Sequence, residues 1–252
     1  MEKFLRSGGI LLHPTSFPGP HGIGDLGEVA YQFVDFLVEA GLSLWQLLPL
    51  GPTGYGDSPY ASFSSYAGNP LLISLDKLVE AGDLAAADLA GVPDFPADSV
   101  DYGWVIHWKV PLLEKAAQNF LDRAEPARQA AFEAFCTEKA HWLDDFALFM
   151  AVKEQFDQQA QAEEIFGARW NNYWDKDIAL RRPEAMRHWQ EQKAGAIAVK
   201  KVLQFFFFQQ WGALRQYANE QGIKIIGDIP IFVAPDSVDV WANPDRFLLD
   251  EE

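Results

Sequence analysis

GGILLHPTSFPGPHGIGDLGEVAYQFVDFLVEAGLSLWQLLPL, residues 8–50, reads as strand, loop, helix and strand. Gly8 to His13 is a short apolar run bounded by Gly and Pro, the pattern of a buried strand. Pro14 to Gly24 is rich in Pro and Gly and reads as a loop. Asp25 resembles a helix N-cap, with Glu28 three residues on as in a capping box. Val29, Phe33, Phe36, Leu37 and Ala40 then recur at helical spacing, and Gly41 is the expected stop. Leu44 to Leu50 is a second apolar run. A strand, a crossover helix and a second strand make a parallel unit, because parallel strands need a long connection.

Outward from this unit, Gly51 to Pro70 (GPTGYGDSPYASFSSYAGNP) is turn chemistry throughout. Twenty residues without regular structure in a compact domain point to a functional loop. Tyr55, Tyr60, Phe63 and Tyr66 argue against a disordered linker, which carries few aromatics. From Asp76 to about Lys200 the composition turns to Ala, Glu, Gln, Lys and Trp with helical periodicity, which reads as a helical insertion with a loop-like stretch from Gly91 to Tyr102. Leu112, Leu113, Ala116 and Phe120, then Trp142, Phe146, Phe149 and Met150, mark its apolar faces. Val202 to Gln221 is another amphipathic helix with Gly222 as its cap, and Lys224 to Ile231 is a third strand. The expected segments are therefore 1–75 (first strands and their loops), 76–200 (helical insertion) and 201–252 (a continuation that carries the third strand).

Composition narrows the function. The 252 residues carry a formal charge of -16, which disfavours nucleic acid and anionic lipid as partners. One cysteine, Cys136, permits no internal disulfide and fits a reducing cytoplasm. The longest late apolar run, Phe205 to Phe208, is far too short to span a bilayer, and the start lacks the apolar stretch of a signal peptide. We read the chain as cytoplasmic. Aromatics make up 14% with nine Trp, which serves core packing or sugar stacking. No HExxH, paired CxxC or GxxxxGK[ST] occurs, so neither a metal nor a nucleotide cofactor is expected, and no GxSxG elbow points to a serine hydrolase. His13, His21, His107, His141 and His188 are scattered.

In parallel α/β folds the chemistry sits at the C-terminal ends of the strands. That rule selects His13–Gly24, Gly51–Pro70 and Asp228–Asp239. Asp228 lies inside the apolar run IIGDIPI, where burial is costly unless the carboxylate is paired. It suits either sugar hydroxyls or local backbone amides. Asp57, Ser58 and Tyr60 in TGYGDSPY offer polar contacts and a flat ring. Asp236 and Asp239 in DSVDVW read as an N-cap and first helical turn.

Taken together, GGILLHPTSFPGPHGIGDLG at 8–27, WQLLPLGPTGYGDSPYASFSSYAGNPLLISL at 45–75 and GDIPIFVAPDSVDVWANPDRFLLDE at 227–251 resemble the amylomaltases, or disproportionating enzymes. The resemblance implies an α/β fold, the N-terminal part of a (β/α)8 TIM barrel with a mainly helical inserted subdomain. It implies a 4-alpha-glucanotransferase acting on maltooligosaccharides and alpha-1,4-glucans without a cofactor. Tyr60 and Asp228 then contact the sugar at the cleavage site, with Ser58 and Asp57 beside it. The family's catalytic carboxylates have no matching motif here and would lie beyond Glu252. The chain alone is therefore expected to be inactive, with a C-terminal half as its missing partner. A related alpha-glucan hydrolase and a non-catalytic glucan-binding module are the competing expectations.

Overall fold

The computed structural model describes residues 6–230 and 232–249. The three strand runs pair in parallel: β1 (Gly9–Leu11), β2 (Leu44–Gln46) and β3 (Lys224–Ile226), in the order β1-β2-β3. Each is shorter than its apolar run. The run of β3 extends to Ile231, which lies outside the described residues, but the ladder ends at Ile226. Pairing continues past the strands through Leu12 N to Gln46 O at 3.1 Å and Leu47 N to Ile226 O at 2.9 Å.

Helices make up most of the remainder. They are α1 (Glu28–Glu39), α2 (Leu75–Glu80), α3 (Tyr102–Arg123), α4 (Pro126–Ala162), α5 (Lys176–Ala179), α6 (Pro183–Gln192), α7 (Ala194–Glu220) and α8 (Val238–Ala242). The chain divides into two compact units. Unit 1 comprises 1–50, 68–120 and 205–229, and unit 2 comprises 51–67, 121–204 and 230–252.

In unit 1, register places Ile10, Trp45 and Ile225 side by side on one face of the sheet. Trp45 is fully buried, touches the rings of Phe17 and Phe33 at 6.0 and 5.3 Å, and donates its indole N–H to Leu12 O at 2.9 Å. The opposite face carries Leu11, Gln46 and Ile226, all exposed. A strand alternates its side chains, so one face is packed and the other bare.

α1 departs from expectation at its start. Its N-cap is Gly27, and Glu28 is the first helical residue, so no capping box forms. Asp25 instead accepts from Gly27 N at 2.9 Å, a turn preceding the helix. The buried stripe is Ala30, Val34 and Leu37, while Phe36 is exposed. The sequence pattern rotates this face because it counts Phe36 as core.

The other carboxylate oxygen of Asp25 meets Lys109 Nζ at 3.4 Å. Lys109 is fully buried on α3 and also donates to Leu71 O at 2.8 Å. This ammonium joins the loop after β1 to the turn before α2. Burial pushes the Lys109 pKa down, opposed by the charge of Asp25. A lowered lysine pKa means the unfolded chain binds more protons between the folded value and 10.5, so stability rises with pH across that window.

In unit 2, α4 buries Trp142, Phe146, Phe149, Val152 and Phe156. Phe149 and Phe156 pack on Trp174 at 5.2 and 5.5 Å, Phe149 meets Trp241 at 5.6 Å, and Phe156 meets Trp189 at 5.6 Å. Six of the nine tryptophans (Trp45, Trp142, Trp170, Trp174, Trp189 and Trp241) are buried, so packing accounts for most of the indole rings. No helix among the described residues is long and apolar enough to cross a membrane.

Two measurements test this packing. Lys109→Met leaves Asp25 and Leu71 O without their shared donor and should cost about 3 kcal/mol in denaturant unfolding, while flattening the rise of stability at alkaline pH. An unchanged midpoint would show that the ion pair contributes nothing. The bare face formed by Leu11 and Ile226 predicts that the isolated chain enhances the emission of a hydrophobic dye. A dye-silent chain with a cooperative melt would contradict this.

Candidate functional site

The part of the loop after β2 that spans 51–67 belongs to unit 2 and is built as an irregular hairpin. Thr53 and Ser62 form an isolated antiparallel bridge, Gly54 N donates to Ala61 O at 2.8 Å, and Phe63 N donates to Pro52 O at 3.0 Å. Ser62 is buried. Its hydroxyl lies 3.0 Å from Pro52 O and 2.8 Å from Ser64 O, and accepts from Ser64 N at 3.3 Å. Gly51 is required beside it, since a Cβ there would sit 2.4 Å from the Ser62 hydroxyl oxygen. At the tip, Gly56 and Asp57 are consecutive left-handed residues, φ 69° and 53°. Gly adopts that region freely, and Asp is among the few other residues that visit it.

Asp57, Ser58 and Tyr60 are brought together at this tip. Asp57 and Ser58 are half-buried, and Tyr60 is 45% exposed. Ser58 Oγ accepts from Tyr60 N at 3.3 Å, a bond that does not use the hydroxyl proton. The tip therefore presents a carboxylate, a hydroxyl and a phenol ring within four residues.

Asp228 belongs to unit 1, two residues beyond the end of β3. It is not the buried acid that its apolar surroundings suggest. Its side chain is exposed, and Oδ1 accepts from Ile229 N at 2.8 Å. The strand stops before Asp228, so the carboxylate meets solvent and incurs no burial penalty.

The loop after β1 is also in unit 1. His13 Nε2 lies 3.3 Å from Pro49 O, and Nδ1 lies 2.8 Å from Thr15 Oγ1. A carbonyl partner requires the proton on Nε2, so the ring joins the ends of β1 and β2 as a donor there and an acceptor at Nδ1. Burial favours the neutral ring and lowers the His13 pKa, against the Pro49 carbonyl, which raises it. Beside this loop, Thr15, Ser16, Phe17, Asp98, Ser99 and Tyr102 border an open cavity of about 570 Å³.

Unit 2 also holds polar contacts that the sequence pattern does not announce. Lys153 on α4 pairs with Asp236 at 2.7 Å and Asp157 at 3.2 Å. Asp239 Oδ2 accepts from Ser65 N at 2.9 Å and Ser65 Oγ at 3.3 Å. The pattern makes Asp236 and Asp239 a cap and a first turn. Asp239 does lie in the first turn of α8, but the cap is Ser237, which accepts from Val240 N at 3.4 Å. The i,i+4 spacing of Lys153 and Asp157 is a visible signal of a local pair, but nothing local points to Asp236. Among the described residues, no group of His, Cys, Asp and Glu is arranged to hold a metal ion.

Three parallel strands joined by helical connections make this an α/β protein. Sequence comparison supplies the family. The 4-alpha-glucanotransferase family model matches residues 12–252, and the chain belongs to that family. It is 48% identical over 247 residues to the 4-alpha-glucanotransferase of a Synechocystis strain, covering 98% of this chain and 47% of that one. It is 49% identical to the Thermus thermophilus 4-alpha-glucanotransferase, with the same coverage. Among solved structures, the amylomaltase from Streptococcus agalactiae in complex with acarbose superimposes with a TM-score of 0.90 at 42% identity, covering 98% of this chain and 48% of that one. The chain spans about half the length of the curated relatives it matches.

Ser62→Ala removes the hydroxyl that holds Pro52, Ser64 and the hairpin together. The expected cost is about 1–2 kcal/mol in urea unfolding, with faster proteolysis between 51 and 67. An unchanged digestion pattern would remove Ser62 from the support of this loop.

Proposed function

We propose that this chain supplies glucan-binding loops to a 4-alpha-glucanotransferase whose catalytic carboxylates lie outside its 252 residues. The observation that carries this reading is the match to two named 4-alpha-glucanotransferases across 98% of the chain at 48–49% identity. The three parallel strands are then the first of eight in a (β/α)8 barrel. The bare face of Leu11, Gln46 and Ile226 supports this, because inward-facing residues of such a barrel are covered only when the remaining strands are in place. On the same reading, 1–75 and 201–252 belong to the barrel and 76–200 to a helical insert, in a cytoplasmic protein.

The reaction is a retaining transfer of alpha-1,4-glucan segments. A carboxylate attacks the anomeric carbon as the glycosidic bond breaks, and a carboxylic acid protonates the leaving glucan oxygen. The 4-hydroxyl of an acceptor glucan or glucose then attacks the glycosyl-enzyme and gives its proton to the same acid/base residue, releasing the nucleophile. This chain's residues bind and orient. Tyr60 offers its ring face to the C–H face of a pyranose. Asp228, exposed just past β3, accepts from sugar hydroxyls, and Ser58 and Asp57 contact the same ligand class. The acarbose bound by the Streptococcus agalactiae amylomaltase makes acarbose a ligand to try here.

The complete product of the gene, given maltotriose, should yield glucose and a ladder of longer maltooligosaccharides. Breakdown to glucose without longer products would favour the hydrolase reading. The 252-residue chain alone should yield no ladder, and one that did would overturn the assignment of the carboxylates. Tyr60→Ala should lower kcat/KM at least about tenfold, the factor that 1.4 kcal/mol of lost contact gives.

A further inference from the structure

We propose that Lys153 is a positioning residue that sets the Tyr60 loop for glucan by holding Asp236 and Phe63 with one ammonium group. The proposal rests on the reading of Tyr60 as a glucan contact. All the residues involved belong to unit 2.

Lys153 projects from a helix whose neighbouring positions Phe149, Val152 and Phe156 are core. Its side chain is 7% exposed. Removing an ammonium from water is expensive, and replacing a whole buried ion pair by apolar side chains is often as stable or more so. What the ammonium provides is geometry. Nζ lies 2.7 Å from Asp236 Oδ2, 3.2 Å from Asp157 Oδ1 and 5.1 Å from the centre of the Phe63 ring. Asp236 depends on it closely, because its other oxygen, Oδ1, is buried with no hydrogen-bond partner.

From Asp236 the constraint passes to the hairpin in a few short steps. Trp170 donates its indole N–H to Pro235 O at 2.9 Å, fixing the residue before Asp236. Val238 N donates to Phe63 O at 2.9 Å, and Asp239 accepts from both Ser65 N and Ser65 Oγ. Phe63 N closes on Pro52 O, and Gly54 N on Ala61 O, next to Tyr60. Lys153 thus contacts both ends of this linkage: the carboxylate at one and the Phe63 ring at the other.

The test is a double-mutant cycle in the complete gene product, read as KM and kcat for maltotriose disproportionation. Lys153→Met should raise KM about tenfold and change kcat about twofold or less, as expected when uniform binding is lost. Lys153→Arg, which keeps the charge, should recover most of the loss. The double variant Lys153→Met/Tyr60→Ala should be no worse than Tyr60→Ala alone, since a misplaced ring and a missing ring forfeit the same contact. Asp236→Asn serves as the milder variant should Lys153→Met fold poorly, and should show the same KM rise and the same non-additivity. Melting midpoints are taken alongside. An unchanged KM, no rescue by arginine, or losses that multiply would each overturn the role of Lys153. A Tyr60→Ala protein with unchanged kinetics would instead sink the reading of Tyr60 on which the proposal stands.

Discussion

Trp45 is the side chain on which the sheet depends. It occupies the central strand, is fully buried, and bonds through its indole N–H to the chain leaving β1. Parallel strands cannot be closed by a tight turn, so nothing local holds β1, β2 and β3 together. The covered face, with Ile10, Trp45 and Ile225 in register against Phe17 and Phe33, supplies that cohesion. Strands of three residues have few ladder bonds to spare, so side-chain burial and the helices carry the arrangement.

From that sheet the loops diverge in how they are secured. The loop after β1 is held by His13 and by the buried Lys109–Asp25 pair. The loop after β2 is held by backbone bonds and the Ser62 hydroxyl. The segment around Asp236 is held by Lys153. In each case a buried polar group takes the place of secondary structure, as it must where backbone groups lack a ladder. Such loops can keep irregular shapes, and with them the exposed rings and carboxylates that a regular element would have to bury or align.

The strands, their parallel sense and the long loop from Gly51 are legible because each rests on a local pattern: apolar runs of fixed length, Gly and Pro as punctuation, and a helical stretch between strands. Asp57, Ser58 and Tyr60 are legible as a cluster for the same reason. Pro230 signals that the strand ends near Asp228, but the exposure of that carboxylate is not legible, because the run IIGDIPI is apolar on both sides of it. The stripe of α1 is misjudged at Phe36, whose size suggests core while the buried positions are Ala30, Val34 and Leu37. The Lys153–Asp236 pair is invisible because its partners lie 83 residues apart.

The burial of six tryptophans has a spectroscopic consequence. Indole emission from this chain is weighted toward the interior of each unit, where Trp45 and the Trp174–Trp241 cluster sit away from water. A sugar that stacked on the Tyr60 ring would meet a phenol there, not an indole. A change in emission colour upon adding carbohydrate would therefore report either rearranged packing around the buried indoles or a sugar against the exposed Trp104, and a steady spectrum would be compatible with full occupancy of the Tyr60 ring.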